Sequence, residues 1–244
     1  MSHINFEMAN STSSKQLQSA LKLGDFEIKG RFMLGSNYTF LVDVHHEGAQ
    51  YQAVYKPSRG EQPLWDFPEN TLALREVAAH IVSEALDFHF VPFTTIREQG
   101  PYGPGSLQQY IDYDPEYHYF NFADEDKARL QPVVLFDLLV NNADRKGSHV
   151  FFDKHAHKLW AIDHGICFHE ENKLRTVLWD FAGQPIPGDC LSLLSRTSDL
   201  PPLLESYLNP DEISALVARA KALLRSKKFP HQPRDRRAFP YPPV

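Results

Sequence analysis

Three short runs of β-branched and aromatic residues follow one another in the first quarter of the chain, and they restrict its fold more than any other feature. The runs are FEIKGRFML, TFLVDV and YQAVYK. Turn residues separate them, Gly-Ser-Asn at 35–37 and Glu-Gly-Ala at 47–49. Loops this short join neighbouring antiparallel strands. The pattern therefore predicts three antiparallel strands at the start of the fold.

A helix and two further strands are predicted next. Thr71 is a suitable N-cap for the segment LALREVAAHIVSEAL. Its apolar residues recur at helical spacing on one face: Leu74, Val77, Ala78, Ile81 and Ala85. Val91–Arg97 and SLQQYID have the composition of strands. The first half of the chain, about 25–112, is therefore expected to be a small sheet with one helix.

The second half, residues 113–228, contains mainly helical patterns. We predict a helix near Leu130–Val140, a β-hairpin over 149–163, and a last helix from Pro210 to Lys227 with Asp211 as its cap. The apolar stripe of that last helix consists of Ile213, Leu216, Val217, Ala220, Leu223 and Leu224. Asp137, inside the apolar run VVLFDLLV, is expected to be a buried carboxylate that bonds to the polar loop after it.

Composition excludes several classes of function. Twenty-five basic against 31 acidic side chains leave no surplus of cations for nucleic-acid phosphates. The best apolar run, Val133–Val140, is far shorter than the roughly 20 residues that cross a bilayer. The amino-terminal stretch lacks the apolar core of a signal peptide, and Cys167 and Cys190 are expected to be reduced thiols. We therefore expect a cytoplasmic protein with no nucleic-acid partner and no stable membrane insertion.

Four charged residues occur in an order that suits phosphoryl transfer. Lys56 ends a predicted strand and Glu76 lies in the helix after it, while Asp144 and Asp163 flank the predicted hairpin. Transfer from ATP uses a strand lysine on the phosphates and a helix glutamate that holds this lysine. It also uses one aspartate for the acceptor hydroxyl and a second for magnesium. Kinase-like folds place these four groups in this order.

The segments AVYKP, REVAA, NNADR and AIDHG resemble the phosphatidylinositol 3-/4-kinase superfamily over about residues 30–185. The resemblance is closest to the type II phosphatidylinositol 4-kinases and their bacterial relatives, and HipA-type protein kinases share the same core. Those proteins carry an Asn-Thr-Asp-Arg catalytic loop and an Ile-Asp-Asn-Gly metal loop. The resemblance implies that Lys56 binds the nucleotide with Glu76 as its partner. It likewise implies that Asp144 is catalytic and that Asp163 binds magnesium.

The same resemblance implies further site residues. Those near the nucleotide would be Gln108, Gln109 and Tyr110 at the adenine, and Ser36 and Asn37 in a phosphate loop at 35–39. Lys146 would lie near the γ-phosphate as a catalytic residue. His149 stands where the family has a metal-binding Asn; a neutral ring nitrogen can ligate a metal, but magnesium prefers oxygen ligands. The implied cofactors are ATP and Mg²⁺, with Mn²⁺ as an alternative.

These patterns predict an α+β, two-lobed kinase-like fold with the active site between an antiparallel-sheet N-lobe, 25–112, and a mainly helical C-lobe, 113–228. Residues 1–24 are expected to be a flexible leader with one short helix at 14–23. Residues 229–244 are expected to be an extended tail rich in proline and arginine.

The acceptor is left open between a protein, a small molecule and an inositol lipid, and the lipid ranks last because no strong basic patch is seen. Three other activities are also left open. The chain could bind nucleotide without catalysis, or transfer AMP, or be a metal-dependent phosphohydrolase. The hydrolase would use Asp144 and Asp163 with a group of histidines: His149, His155, His157, His164 and His169.

Overall fold

The structure, a computed structural model, describes residues 14–32 and 38–244. The chain divides into two compact units. The first comprises the described part of Met1–Ala73 together with Phe93–Tyr110. The second comprises Leu74–Pro92 together with Ile111–Val244. The helix that the sequence analysis assigned to the sheet-rich half thus groups, except for its first two residues, with the second unit.

A five-stranded antiparallel sheet forms the first unit, in the order β1-β2-β3-β5-β4. Its strands are β1 (Asp25–Arg31), β2 (Phe40–His46), β3 (Ala49–Pro57), β4 (Thr94–Arg97) and β5 (Gly105–Gln109). The three predicted amino-terminal strands are therefore confirmed. In the register between β3 and β5, Lys56 lies opposite Ser106.

Helix α1, residues 14–23, packs on this sheet. Ala20 and Leu21 are fully buried. They belong to one apolar cluster with side chains from the sheet: Phe40, Val42, Val44, Ala53, Tyr55 and Leu107. The short helix predicted at 14–23 is present, but its buried face makes it part of the core rather than part of a loose leader.

The second unit is mainly helical. Its helices are α2 (Leu72–Ala85), α3 (Asp124–Ala128), α4 (Gln131–Val140), α5 (Gly188–Leu193), α6 (Pro201–Leu204) and α7 (Pro210–Ser226). The predicted hairpin is confirmed as β6 (Val150–Phe152) and β7 (Leu159–Ala161), which pair antiparallel. At the start of α2, the Glu61 carboxylate accepts hydrogen bonds from the backbone N–H groups of Leu72 and Ala73 at 3.2 and 3.1 Å.

Helix α4 lies at the centre of the second core. Its buried residues are Val133, Val134, Leu135, Phe136, Asp137, Leu139 and Val140. The Phe136 ring meets Phe88 and Phe90 edge to face, with both centroid distances at 5.1 Å. A helix apolar on nearly all sides must be enclosed by its neighbours. The carboxylate of Asp137 is therefore held inside the protein and needs partners there.

The cap of α7 differs from the prediction. The Asn209 side chain accepts from the Glu212 backbone N–H at 2.9 Å, and the Glu212 carboxylate accepts from the Asn209 N–H at 3.0 Å. Asp211 is instead the second residue of the helix, because Pro210 takes the first position, which needs no N–H donor. The buried stripe follows the predicted spacing: Ile213, Leu216, Ala220 and Leu223.

Residues 229–244 contain no helix or strand, yet they pack on the second unit. Phe229 and Ala238 are buried. The Thr176 N–H donates to the Ala238 carbonyl at 3.0 Å, and the Gly147 N–H donates to the Pro243 carbonyl at 2.8 Å. The segment expected to be an extended tail is thus docked through its backbone.

Both cysteines are free thiols in buried positions. Burial raises the pKa of Cys167 well above its ordinary value, and burial together with Asp189 raises that of Cys190 to about 11. No helix in the part of the chain that the structure describes has the length and apolar character to cross a membrane.

Candidate active site

Two asparagines begin the loop between α4 and β6, which we call the catalytic loop (residues 141–149). Asn141 ends α4 in the left-handed region, with φ of 58°, which asparagine tolerates better than most residues. Asn142 donates to Asp137 Oδ1 at 3.0 Å, and its own Oδ1 accepts from the Asp144 N–H at 3.0 Å. The Asn-Asn pair therefore turns the chain and fixes the backbone of Asp144.

Arg145 is fully buried and connects the catalytic loop to the loop that carries Asp163. Its guanidinium donates to both oxygens of Asp137 at 2.8 and 3.0 Å. It also donates to the carbonyls of His149 and Ile162 at 3.1 and 2.8 Å, and to His164 Nε2 at 2.7 Å. The expectation that Asp137 bonds to the polar loop is thus confirmed. One cation holds together the two loops that bear the predicted catalytic and metal-binding aspartates.

Asp144 lies in a partly buried setting, with about a quarter of its side chain exposed. Burial raises the pKa of Asp144 to about 6. Lys146, whose Nζ is 3.4 Å from Asp144 Oδ2, opposes this rise, and the negative charge of Asp163 adds to it. A carboxyl group with such a pKa is ionised at neutral pH and is a stronger base than an ordinary aspartate.

Asp163 and His149 lie side by side. His149 Nε2 is 3.1 Å from Asp163 Oδ2, and the Asp163 carboxylate is about half exposed. The backbone of Asp163 has φ of 62°, which turns the chain sharply after β7. The Asp163 carboxylate fits a divalent cation that takes its other ligands from phosphates and water, as magnesium usually does, whereas the His149 imidazole is not a ligand that magnesium prefers.

The raised pKa of Asp144 predicts a pH-dependent stability difference. Because the folded-state pKa of about 6 exceeds the unfolded value near 4, ionisation of Asp144 weakens the fold as pH rises from about 4 to about 6. We expect Asp144→Asn to raise the free energy of unfolding by about 3 kcal/mol at pH 8 and by much less at pH 4. Urea unfolding at both pH values measures this. An equal gain at the two pH values would contradict the assignment.

The remaining histidines do not gather around the two aspartates. His155 lies exposed in the turn of the hairpin, and His157 bonds to Asp126 at 2.9 Å. His164 accepts from Arg145, and His169 Nδ1 accepts from a backbone N–H at 3.0 Å. Among residues 14–32 and 38–244, no group of three or more His, Cys, Asp or Glu side chains could hold a metal ion. The five-histidine hydrolase site is therefore not formed.

In the first unit, Lys56 is half-buried near the end of β3. Gln108 is buried in β5 and donates to Thr94 Oγ1 at 2.8 Å, so its side chain is part of the sheet. Gln109 ends β5 and Tyr110 follows it, both half-buried. Ser36 and Asn37, predicted for the phosphate loop, lie outside the described residues.

In the second unit, Glu76 is 2% exposed within α2. Its neighbour Arg75 is also buried and donates to the Cys167 carbonyl at 2.6 Å and to the Glu212 carboxylate. This buried arginine ties α2 to α7 and to the segment after Asp163. The arrangement fixes the position of Glu76 on α2 relative to that segment.

Residues 175–177 pair with the catalytic loop, and the sequence patterns did not predict this pairing. The Arg145 N–H donates to the Arg175 carbonyl at 3.0 Å, and the Arg175 N–H donates to the Asn142 carbonyl at 3.0 Å. The Val177 N–H continues the pairing to the Arg145 carbonyl at 3.1 Å. The segment has no regular alternation of polar and apolar residues that would have shown this pairing.

The comparisons with known proteins give one relative and a set of similar structures. Protein Rv2133c of Mycobacterium tuberculosis (strain ATCC 25618 / H37Rv) is 36% identical over an alignment 259 positions long, which covers 90% of this chain and 92% of that protein. No family model matches the chain.

Among solved structures, the Helicobacter pylori proinflammatory kinase CtkA superposes with a TM-score of 0.53 at 12% identity, over 85% of this chain and 94% of that one. HipA of Shewanella oneidensis MR-1, solved with HipB and operator DNA, gives a TM-score of 0.44 at 12% identity, over 82% of this chain and 65% of that one. The likeness to CtkA shows that the chain has an α+β, two-lobed kinase-like fold.

Proposed function

We propose that this chain, which belongs to the same family as Protein Rv2133c, is an ATP-dependent phosphotransferase that moves the γ-phosphoryl group to a hydroxyl group of an acceptor. The observation that carries the proposal is the buried Arg145, which binds both the catalytic loop and the loop of Asp163. In kinase-like folds these two loops supply the catalytic and the metal-binding aspartate. The resemblance to the phosphatidylinositol 3-/4-kinase superfamily agrees with this reading.

On the nucleotide side, Lys56 would bind the phosphates with Glu76 as its partner. Gln109 and Tyr110 would contact the adenine, and Gln108 would support them from within the sheet. Ser36 and Asn37 would belong to the loop over the phosphates. Asp163 with His149 would hold Mg²⁺ or Mn²⁺, which supplies positive charge to the phosphate oxygens.

On the acceptor side, Asp144 would orient the hydroxyl group and accept its proton. Its pKa of about 6 leaves it ionised at neutral pH while keeping it basic enough for this transfer. The ammonium of Lys146, 3.4 Å from the Asp144 carboxylate, would neutralise charge on the phosphoryl group as it moves. Turnover is then expected to rise with pH through about 6, as Asp144 ionises.

Nucleotide binding gives the first test of the proposal. ATP at 100 times its dissociation constant is expected to stabilise the wild-type protein by about 2.7 kcal/mol, provided that magnesium is present. Asp163→Asn should abolish the metal-dependent part of this gain because it removes a negatively charged ligand. Thermal unfolding with ATP, with and without magnesium, measures both effects.

Asp112→Asn is a matched control, since Asp112 is an exposed aspartate of the same unit paired with Lys154. This variant should keep the full metal-dependent shift. A wild-type protein that shows no shift with saturating nucleotide would contradict the proposal. ATP labelled at the γ- or the α-phosphate then separates phosphoryl transfer from AMP transfer by which label reaches the acceptor.

A further inference from the structure

Arg175 is fixed beside the catalytic aspartate by backbone hydrogen bonds. Its N–H donates to the Asn142 carbonyl, and its carbonyl accepts from the Arg145 N–H, both at 3.0 Å. Asn142 and Arg145 lie on either side of Ala143 and Asp144 in the chain. The half-buried side chain of Arg175 carries one of the charges that act on the Asp144 carboxyl. Within the described part of the chain, no carboxylate lies at ion-pair distance from Arg175. The Arg175 guanidinium therefore forms no ion pair in this part of the chain, although the Asp144 carboxylate lies within its electrostatic reach.

Arg236, in the carboxy-terminal segment, places a second guanidinium against the backbone of Leu174, the residue before Arg175. It donates to the Leu174 carbonyl at 2.7 Å and to Asn172 Oδ1 at 2.8 Å. Both acceptors are uncharged, so they hold the guanidinium without cancelling its charge. Burial lowers the pKa of Arg236, and the nearby charge of Arg175 lowers it further, while Asp235 opposes the change. Two arginines are thus within electrostatic reach of each other.

The carboxy-terminal segment that carries Arg236 is anchored on both sides of it. Phe229 is buried before it, and the Ala238 carbonyl accepts from the Thr176 N–H at 3.0 Å after it. The Trp179 indole also donates to the Ala238 carbonyl, at 3.3 Å. The position of Arg236 next to Arg175 is therefore built into the fold.

We propose that Arg175 and Arg236 bind a phosphate group carried by the acceptor. Arginine forks match phosphate oxygens in pairs, and an anion between two guanidinium groups relieves their mutual repulsion. The cluster stands out in a chain whose formal net charge is −6. The inference rests on the proposed function, because it specifies the acceptor as a hydroxyl compound that already bears a phosphate monoester.

Inorganic phosphate is a suitable probe for this site. The nucleotide site is first filled with magnesium and a non-hydrolysable ATP analogue, and sodium phosphate is then titrated at constant ionic strength. Thermal unfolding of the wild-type protein should show a saturable rise of about 3 °C at ten times the phosphate dissociation constant. Arg175→Gln and Arg236→Gln should each raise that dissociation constant about tenfold.

Arg234→Gln is the matched control, because Arg234 is an exposed arginine of the same segment. This variant should keep the wild-type response to phosphate. A shift with the nucleotide analogue in every variant shows that each one is folded. If the wild type responds to the analogue but not to phosphate, the phosphate site is refuted while the proposed function stands.

Two other outcomes would refute the proposed phosphate site. A phosphate response that persists in both Arg175→Gln and Arg236→Gln refutes the assigned residues. No response of the wild type to the analogue overturns the proposed function and the phosphate site together. Sedimentation with phosphatidylcholine vesicles that contain a phosphoinositide then identifies the source of the phosphate: arginine-dependent co-sedimentation assigns it to a lipid headgroup, and its absence assigns it to a soluble compound.

Discussion

Asp144→Asn is expected to lower the turnover number by about 10²–10⁴-fold, which is the usual contribution of a general base. Asparagine keeps the size of the side chain and leaves the backbone hydrogen bond from Asp144 to Asn142 in place. It cannot accept the proton of the attacking hydroxyl. Release of labelled phosphate from γ-labelled ATP, with water as the acceptor, measures the loss before the natural acceptor is identified.

Asp144→Asn should lower the rate of the chemical step and leave nucleotide binding unchanged. The stabilisation by ATP and magnesium should remain in Asp144→Asn, since Asp163 and His149 are unchanged. Asp112→Asn, an exposed surface variant of the same unit, should retain wild-type turnover. Turnover of Asp144→Asn within a factor of two of the wild type would remove Asp144 from the mechanism.

Arg145→Met is expected to destabilise the protein by about 3–5 kcal/mol, because it leaves the buried Asp137 carboxylate without its cationic partner. The same change removes the hydrogen bonds to the carbonyls of His149 and Ile162. Both loops of the candidate site would then lose their common anchor. Urea unfolding at pH 7 measures the change in free energy.

Two further variants keep this prediction open to test even if Arg145→Met does not fold. The double variant Arg145→Met with Asp137→Leu should recover much of the lost stability, since it removes the buried charge as well. Arg196→Met breaks an exposed arginine–aspartate pair with Asp87 and should change stability by no more than about 1 kcal/mol. Equal losses in Arg145→Met and Arg196→Met would show that burial of the pair is unimportant.

Local patterns in the sequence were sufficient for most elements of the fold. The runs of β-branched and aromatic residues up to Lys56 and the apolar stripe of α7 each depend on neighbours a few residues apart, and each predicted element is present. The cap of α7 was missed although a signal existed: Pro210 marks the first helical position, so the capping residue had to be Asn209.

The candidate site was predicted only in part because its contacts join distant segments. Asp137 was expected to bond to the catalytic loop, since a charge in an apolar run needs a partner. Nothing local indicated that Arg145 would be that partner, or that it would also reach Ile162 and His164. The pairing of Arg175 with the catalytic loop and the docking of Arg236 depend on backbone contacts that no sequence periodicity records. The roles of Lys56, Glu76, Asp144 and Asp163 stay predictions that the proposed experiments test.

The burial of both native cysteines has a practical use. Cys167 and Cys190 are shielded from reagents, and their raised pKa values keep them protonated at neutral pH, so maleimide dyes should not label the wild-type protein. New cysteines at exposed positions, for example in place of Gln50 in β3 and Lys221 in α7, would be labelled selectively. Fluorescence energy transfer between such dyes would follow the separation of the two units in solution as nucleotide binds, without first removing a native thiol.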